Sequence, residues 1–91
     1  MTATPRHSFT YAGAVHNVYH CAAREGLPRH EHNYPHATIC HAGRCAIRKE
    51  GVYKEITKAD GPINLVAGQW HEIEALEDGT VFENIHIAGA M

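Results

Sequence analysis

Apolar and polar residues alternate along most of this chain with the two-residue period of β-strands. From Phe9 onward, short runs are separated by turn signals such as Glu50-Gly51 and Asp60-Gly61, and no stretch has sustained i, i+3, i+4 apolar spacing. The pattern predicts strands at 15–22, 36–41, 45–49, 52–57, 63–66, 70–76 and 81–87, and a further strand that ends with His30 and His32. Closely spaced strands with Gly-rich turns indicate an antiparallel sandwich or barrel.

The ends of this pattern indicate one domain preceded by a short tail. Residues 1–8 are small and polar and contain Pro5, so we expect a flexible N-terminal tail and a single domain over 9–91. Residues 24–28 include a glycine and a proline and indicate a bend into the next strand. Residues 33–35, Asn-Tyr-Pro, indicate a turn.

Composition and charge exclude several classes of partner. The chain is 44% hydrophobic and 20% charged with a net charge of −2, and it has no Lys/Arg stripe that would mark a nucleic-acid groove. No apolar run approaches membrane-spanning length, and no signal-peptide pattern is present. We therefore expect a cytoplasmic protein without nucleic-acid or membrane partners. Cys21, Cys40 and Cys45 are expected to be reduced thiols, with a Cys40–Cys45 disulfide as the alternative.

Histidine is the residue in excess, with nine in 91 residues. In a strand, the side chains of His30 and His32 point to the same face, and their Cα atoms lie roughly 7 Å apart. From this spacing two imidazoles can converge on one ion, with each nitrogen about 2.1 Å from it. A turn at 33–35 returns His36 beside them, and the break at Gly68 lets His71 enter a barrel. This constellation arises by chance with a probability on the order of 0.01.

Two segments carry a resemblance to a known family. Residues 26–43 resemble the first cupin motif, G-x5-H-x-H-x3,4-E-x6-G, through His30, His32 and the gap from His36 to Gly43. Residues 66–71 resemble the second motif, P-x-G-x2-H, through Gly68 and His71. The resemblance implies an all-β fold, a small antiparallel cupin-type (jelly-roll) β-barrel. It also implies one divalent metal ion held by four histidines: His30, His32, His36 and His71.

The departures from the motifs affect the chemistry. Three residues, where the motif has five, separate Gly26 from His30; Val66 replaces a proline; and Ala75 replaces an asparagine. His36 occupies the usual glutamate position, so four neutral imidazoles would leave the charge of the ion uncompensated. Such a site favours a small anionic organic ligand. The native metal stays open among iron, manganese, nickel, zinc and copper.

The resemblance leaves the reaction open because one fold hosts many chemistries. The resemblance to small cupins implies a metal-dependent enzyme of dioxygenase or sugar-acid isomerase type, in which Tyr34 or His86 would transfer protons. The alternatives are a non-catalytic metal or small-ligand-binding module and a purely structural metal site. An exchangeable coordination position would separate the first two from the third.

Strand parity and chain length add further expectations. Cys40 shares parity with His36 and should face inward as a small apolar filler. His41 has the opposite parity, and Glu83 shares the outward face of the last strand with Val81 and Ile85. The short chain and its sheet edges favour a homodimer, in which pairing buries edges and apolar surface, as small cupins commonly do.

Overall fold

The computed structural model describes residues 3–30 and 35–87, apart from the side chain of His30. These residues form nine β-strands and one short 3-10 turn at Lys58–Asp60, so no helix in the described ranges could cross a membrane. The strands are β1 His7–Tyr11, β2 Ala14–Cys21, β3 Gly26–His30, β4 His36–Ala42, β5 Cys45–Lys49, β6 Val52–Ile56, β7 Ile63–Leu65, β8 His71–Ala75 and β9 Thr80–Ile87.

The strands build two antiparallel sheets that enclose the core. One sheet has the order β1-β2-β9-β4-β7 and the other β3-β8-β5-β6. This arrangement confirms the predicted all-β jelly-roll class. The described strands do not close into a continuous barrel, however, because hydrogen-bonded pairing stays within each sheet.

The core lies where the inward faces of the two sheets meet. Phe82 of β9 is fully buried and stacks on Tyr19 of β2, with ring centroids 4.7 Å apart. Cys40 is buried as predicted, and its Sγ lies 3.9 Å from that of Cys45. Burial, together with the neighbouring Cys40, raises the pKa of the Cys45 thiol. The Cys45 thiol therefore stays neutral, and both cysteines pack as small core residues.

Two predicted boundaries at the N-terminal end differ from the structure. The bend predicted at 24–28 is shorter in the structure: the chain turns just before Gly26, where the backbone N–H of Glu25 donates to the carbonyl of Ala22, and β3 begins at Gly26. Pro28 is tolerated there because β3 is an edge strand with a register shift between Leu27 and His30. Strand β1 begins at His7, inside the segment expected to be tail, because it pairs with β2 from His7↔Val18 onward.

Gly26 is required by the close approach of β3 and β8. A Cβ at this position would lie 2.0 Å from the carbonyl oxygen of Ile73, which belongs to the backbone and cannot rotate away. We expect Gly26→Ala to lower the free energy of unfolding by about 3 kcal/mol or more, since the two strands must separate. Chemical denaturation followed by circular dichroism measures the loss.

The matched control is Gly51→Ala in the β5–β6 turn. A Cβ there meets no atom within 4 Å, and only its positive φ of 72° opposes the substitution. That costs about 1–2 kcal/mol. Equal losses in the two variants would show that the β3–β8 approach does not limit the residue at position 26.

Candidate metal centre

The structure brings together two of the four predicted metal ligands. His36 opens β4 in the five-stranded sheet, and His71 opens β8 in the four-stranded sheet. Their Nε2 atoms lie 3.0 Å apart, with the ring planes at 64°. Both residues are buried, at 6% and 2% relative exposure. The two imidazoles therefore meet edge to edge between the sheets.

The partners of the Nδ1 atoms fix the preferred tautomers of the two rings. His71 Nδ1 lies 3.1 Å from the carbonyl oxygen of Gln69, which can only accept, so this nitrogen carries the proton. Thr38 donates its hydroxyl to Asn84 Oδ1 at 2.7 Å. The Thr38 oxygen can therefore accept from His36 Nδ1, 3.4 Å away.

With these tautomers, the contact between the two rings favours a cation bound between them. With Nδ1 protonated on both rings, the neutral imidazoles direct Nε2 lone pairs towards each other. Lone pairs at this distance repel unless a proton or a metal ion lies between them. Two nitrogens bound at right angles to one ion, each at about 2.1 Å, are about 3.0 Å apart. The pair thus fits two adjacent ligand positions of a divalent metal.

The other predicted ligands are only partly described. His30 pairs with His71 in the β3–β8 register, but the structure describes only its backbone. His32 and Tyr34 lie outside the described residues. Within the described ranges, no group of three or more His, Cys, Asp or Glu is arranged to hold a metal ion. The four-histidine site therefore stays a prediction.

His86 faces inward beside this pair. It is buried on β9, and the register pair Ala37↔Ile85 makes it the β9 neighbour of His36. This orientation follows the alternation of buried and half-buried residues along β9. Its role in proton transfer stays a prediction.

Sequence reasoning missed the hydrogen bonds that orient His36. Thr38 is fully buried and Asn84 is 7% exposed, and they pair directly across β4 and β9. Parity carried part of this signal, because Thr38 lies two residues after His36 and Asn84 two before His86. Only the register of two distant strands reveals that their side chains meet.

A second polar cluster lies on the outer face of the five-stranded sheet. Glu83 Oε2 accepts from His16 Nδ1 at 2.6 Å, and Glu83 Oε1 accepts from His41 Nε2 at 2.7 Å. The outward orientation predicted for Glu83 and His41 is therefore confirmed. Burial acts to raise the pKa of Glu83, but the hydrogen bonds from His41 and His16 outweigh it and hold that pKa below its ordinary value.

The lowered pKa of Glu83 predicts a pH-dependent contribution to stability. A carboxyl whose folded-state pKa is depressed stabilises the fold above its unfolded-state pKa, and the contribution is lost as the pH falls through the folded-state value. We expect Glu83→Gln to lower the free energy of unfolding by about 1–3 kcal/mol at neutral pH. The difference from the wild type should shrink below about pH 4.

Urea denaturation across this pH range measures the difference. Glu50→Gln, at an exposed turn position, controls for the general effect of removing one negative charge. A loss in Glu83→Gln that stays constant into acid would mean that the His–Glu–His cluster does not stabilise the ionised carboxyl.

Comparison with known proteins adds the fold class. No family model matches the chain, and no curated protein matches it by sequence. Solved structures do match. KdgF from Halomonas sp. superposes with a TM-score of 0.77 at 12% identity, over 87% of this chain and 73% of that one. A cupin-2 domain containing protein from Shewanella frigidimarina superposes with a TM-score of 0.72 at 12% identity, over 92% of this chain and 82% of that one.

A third match is a protein whose description names a metal. Oxalate decarboxylase from Bacillus subtilis, with Mn(II) centres, superposes with a TM-score of 0.74 at 15% identity. The match covers 87% of this chain and 22% of that protein. At these identities the likeness establishes the fold alone, and that fold is the one found in cupin-domain proteins.

Proposed function

We propose that this chain binds one divalent metal ion between its two sheets and uses it to act on a small anionic organic molecule. The observation that supports the proposal is the buried Nε2–Nε2 approach of His36 and His71 at 3.0 Å. His30 and His32 are the proposed further ligands. Iron, manganese, nickel, zinc and copper are all compatible with imidazole ligands.

The charge of such a site supports an anionic substrate. Histidine ligands are neutral, so the site keeps the full positive charge of the ion in a partly buried space. A carboxylate or enolate oxygen compensates that charge better than a neutral group does. Polarisation of a carbonyl, or activation of dioxygen, is the chemistry that a bound divalent ion supplies.

The residues of this chain then have separate proposed roles. His36 and His71 hold the ion, and Thr38 with Asn84 keeps the His36 ring in the orientation that exposes Nε2. His86, buried beside His36, and Tyr34 are the proposed groups that carry a proton to or from the substrate. A dioxygenase and a sugar-acid isomerase both fit this set of roles.

A non-catalytic ligand-binding module is the second candidate, and the described carboxylates favour it. Glu74 binds Arg48 at 2.9 Å, and Glu83 binds His16 and His41 on the outer face. Among the described residues, neither of these carboxylates of β8 and β9 is turned towards the histidine pair. A module that captures an anion without transforming it needs no such base.

Metal loading followed by turnover assays separates the two candidates. Chelator-treated protein is loaded anaerobically with each candidate metal. Oxygen uptake is then measured with catechols, β-diketones and thiols, and isomerisation with sugar acids. We expect one metal form to turn over one substrate class, and His20→Ala, an exposed histidine of β2, to match the wild type. Carboxylate binding without turnover in every metal form would favour the module.

A further inference from the structure

The outer faces of the two sheets differ in charge. On the four-stranded sheet, Arg48 forms an ion pair with Glu74 and lies over the ring of Tyr53. The described strands of the five-stranded sheet contain no lysine, arginine or aspartate, and Glu83 is their single carboxylate. Two histidines donate to Glu83, and its side chain is only 12% exposed. A molecule that approaches this face therefore meets almost no charge.

The same face carries most of the exposed apolar surface of the described residues. Six large apolar side chains are exposed there and elsewhere, and four of them lie on this face: Phe9, Tyr11, Val66 and Ile87. Tyr11 and Ile87 are 71% and 67% exposed. Exposed apolar side chains that cluster on one face indicate an interaction surface.

The strand register places two aromatic side chains of β1 level with an apolar cleft on the other side of this face. Tyr11 shares a row of paired residues with Ile87 of β9, and Phe9 shares the next row with Ile85. The cleft has a volume of about 330 Å³. Six of its lining residues continue these two rows across β9, β4 and β7: Pro35, Ala37, Asn64, Val66, Ile85 and Ile87.

This arrangement is self-complementary under a two-fold axis. In an isologous dimer the same patch of both copies forms the contact, so that each residue and its counterpart exchange places. An axis that lies in the interface, parallel to the strands and close to the central strand β9, keeps each row at its level and exchanges the two ends of the row. It carries β1 of one copy over β4 and β7 of the other, with the two sheets aligned as in a sandwich.

The area of the face fits a stable dimer. Strands lie about 4.8 Å apart and rise about 3.4 Å per residue, so five strands of up to eight residues form a face about 24 Å wide and up to about 27 Å long. That is of the same order as the roughly 800 Å² of surface that each partner buries in a standard protein interface.

We propose that this chain forms a two-fold homodimer through the outer face of the five-stranded sheet, in which Tyr11 and Phe9 of each copy occupy the apolar cleft of the other. Aromatic side chains that fill an apolar recess are the usual anchors of such interfaces. The inference goes beyond the proposed metal-dependent function and does not depend on it. The homodimer expected from the sequence thereby gains a defined interface.

Sedimentation equilibrium tests the proposal. We expect a monomer–dimer equilibrium with a dissociation constant in the micromolar range or below. Tyr11→Ala removes an aromatic anchor and Ile87→Asp places a charge in the apolar contact, so each should raise the dissociation constant more than about 30-fold. Val52→Asp, at 48% exposure on β6 of the other sheet, is the matched control and should leave the constant unchanged.

Cross-linking locates the contact in a chain that keeps its interface. Tyr11→Cys and Val66→Cys chains are prepared separately, mixed and treated with a short bismaleimide cross-linker. The mixture should give a covalent dimer, and each variant alone much less, because the two-fold axis brings position 11 of one copy to position 66 of the other. A mixture of Tyr11→Cys with Val52→Cys should give none. The three native cysteines are buried, so the wild type should not react.

The outcomes decide between this face and the alternatives. A wild type that sediments as a monomer at submillimolar concentration overturns the proposal, and the apolar face would then serve a different partner. A dimer that withstands both Tyr11→Ala and Ile87→Asp, or that Val52→Asp disrupts, places the interface elsewhere, such as at a sheet edge. Cross-linking of Tyr11→Cys alone as efficient as that of the mixture would overturn the two-fold arrangement. Metal plays no part in these measurements, so their failure leaves the proposed metal site untouched.

Discussion

His71→Ala and His36→Ala are each expected to abolish stoichiometric metal binding. The wild type should retain about one divalent ion per chain after dialysis, whereas each variant loses one of the two Nε2 atoms that meet at 3.0 Å. Loss of an outer hydrogen-bond partner typically costs about 10–100-fold in metal affinity. Loss of a ligand should cost more than about 100-fold. Elemental analysis and chelator competition measure both quantities.

Stability provides a second readout of the same prediction. A ligand at a hundred times its dissociation constant stabilises the folded state by about 2.7 kcal/mol, so a chelator should lower the melting temperature of the wild type. The same chelator should leave the melting temperature of His71→Ala unchanged. His20→Ala, an exposed histidine on β2, should behave as the wild type in both measurements.

A metal-free wild type would give the histidine pair a different meaning. If the purified and reloaded protein carries no ion, or if His71→Ala keeps the same metal content, the contact at 3.0 Å is an N–H···N hydrogen bond with one shared proton. The pair would then be a polar element of the core.

Much of the fold could be predicted from local patterns. Strand β5 has the predicted bounds because its alternation ends at the unambiguous Glu50-Gly51 turn. Parity alone correctly assigned Cys40 to the core and His41 and Glu83 to the outer face. The start of β3 was placed too late because Gly26 and Pro28 are turn residues by composition. An edge strand tolerates both, and edge position is a property of the whole sheet.

Part of the candidate site could be predicted from motif spacing, and the rest is visible only in the tertiary structure. His36 and His71 are 35 residues apart and belong to different sheets, so alternation alone could not bring them together. The spacing of the two motifs supplied that pairing. The Thr38–Asn84 contact spans 46 residues, and it joins an unspecified position of the first motif to a residue outside both motifs.

Thr38→Val is expected to weaken metal binding without removing a ligand. Valine keeps the shape of threonine but lacks the hydroxyl that accepts from His36 Nδ1 and donates to Asn84 Oδ1. The His36 ring then loses the partner that selects its tautomer and orientation. We expect metal affinity to fall about 10–100-fold and the free energy of unfolding to fall by about 1–3 kcal/mol.

Two further substitutions distinguish positioning of His36 from general destabilisation. Thr38→Ser restores the hydroxyl and should recover most of the metal affinity. Thr80→Val removes an equally buried hydroxyl, which donates to the carbonyl of Glu77 at 2.7 Å in a separate network. It should destabilise the fold to a similar degree while leaving metal affinity unchanged. If Thr80→Val and Thr38→Val weaken metal binding equally, affinity follows global stability, and the Thr38 hydroxyl has no specific role at His36.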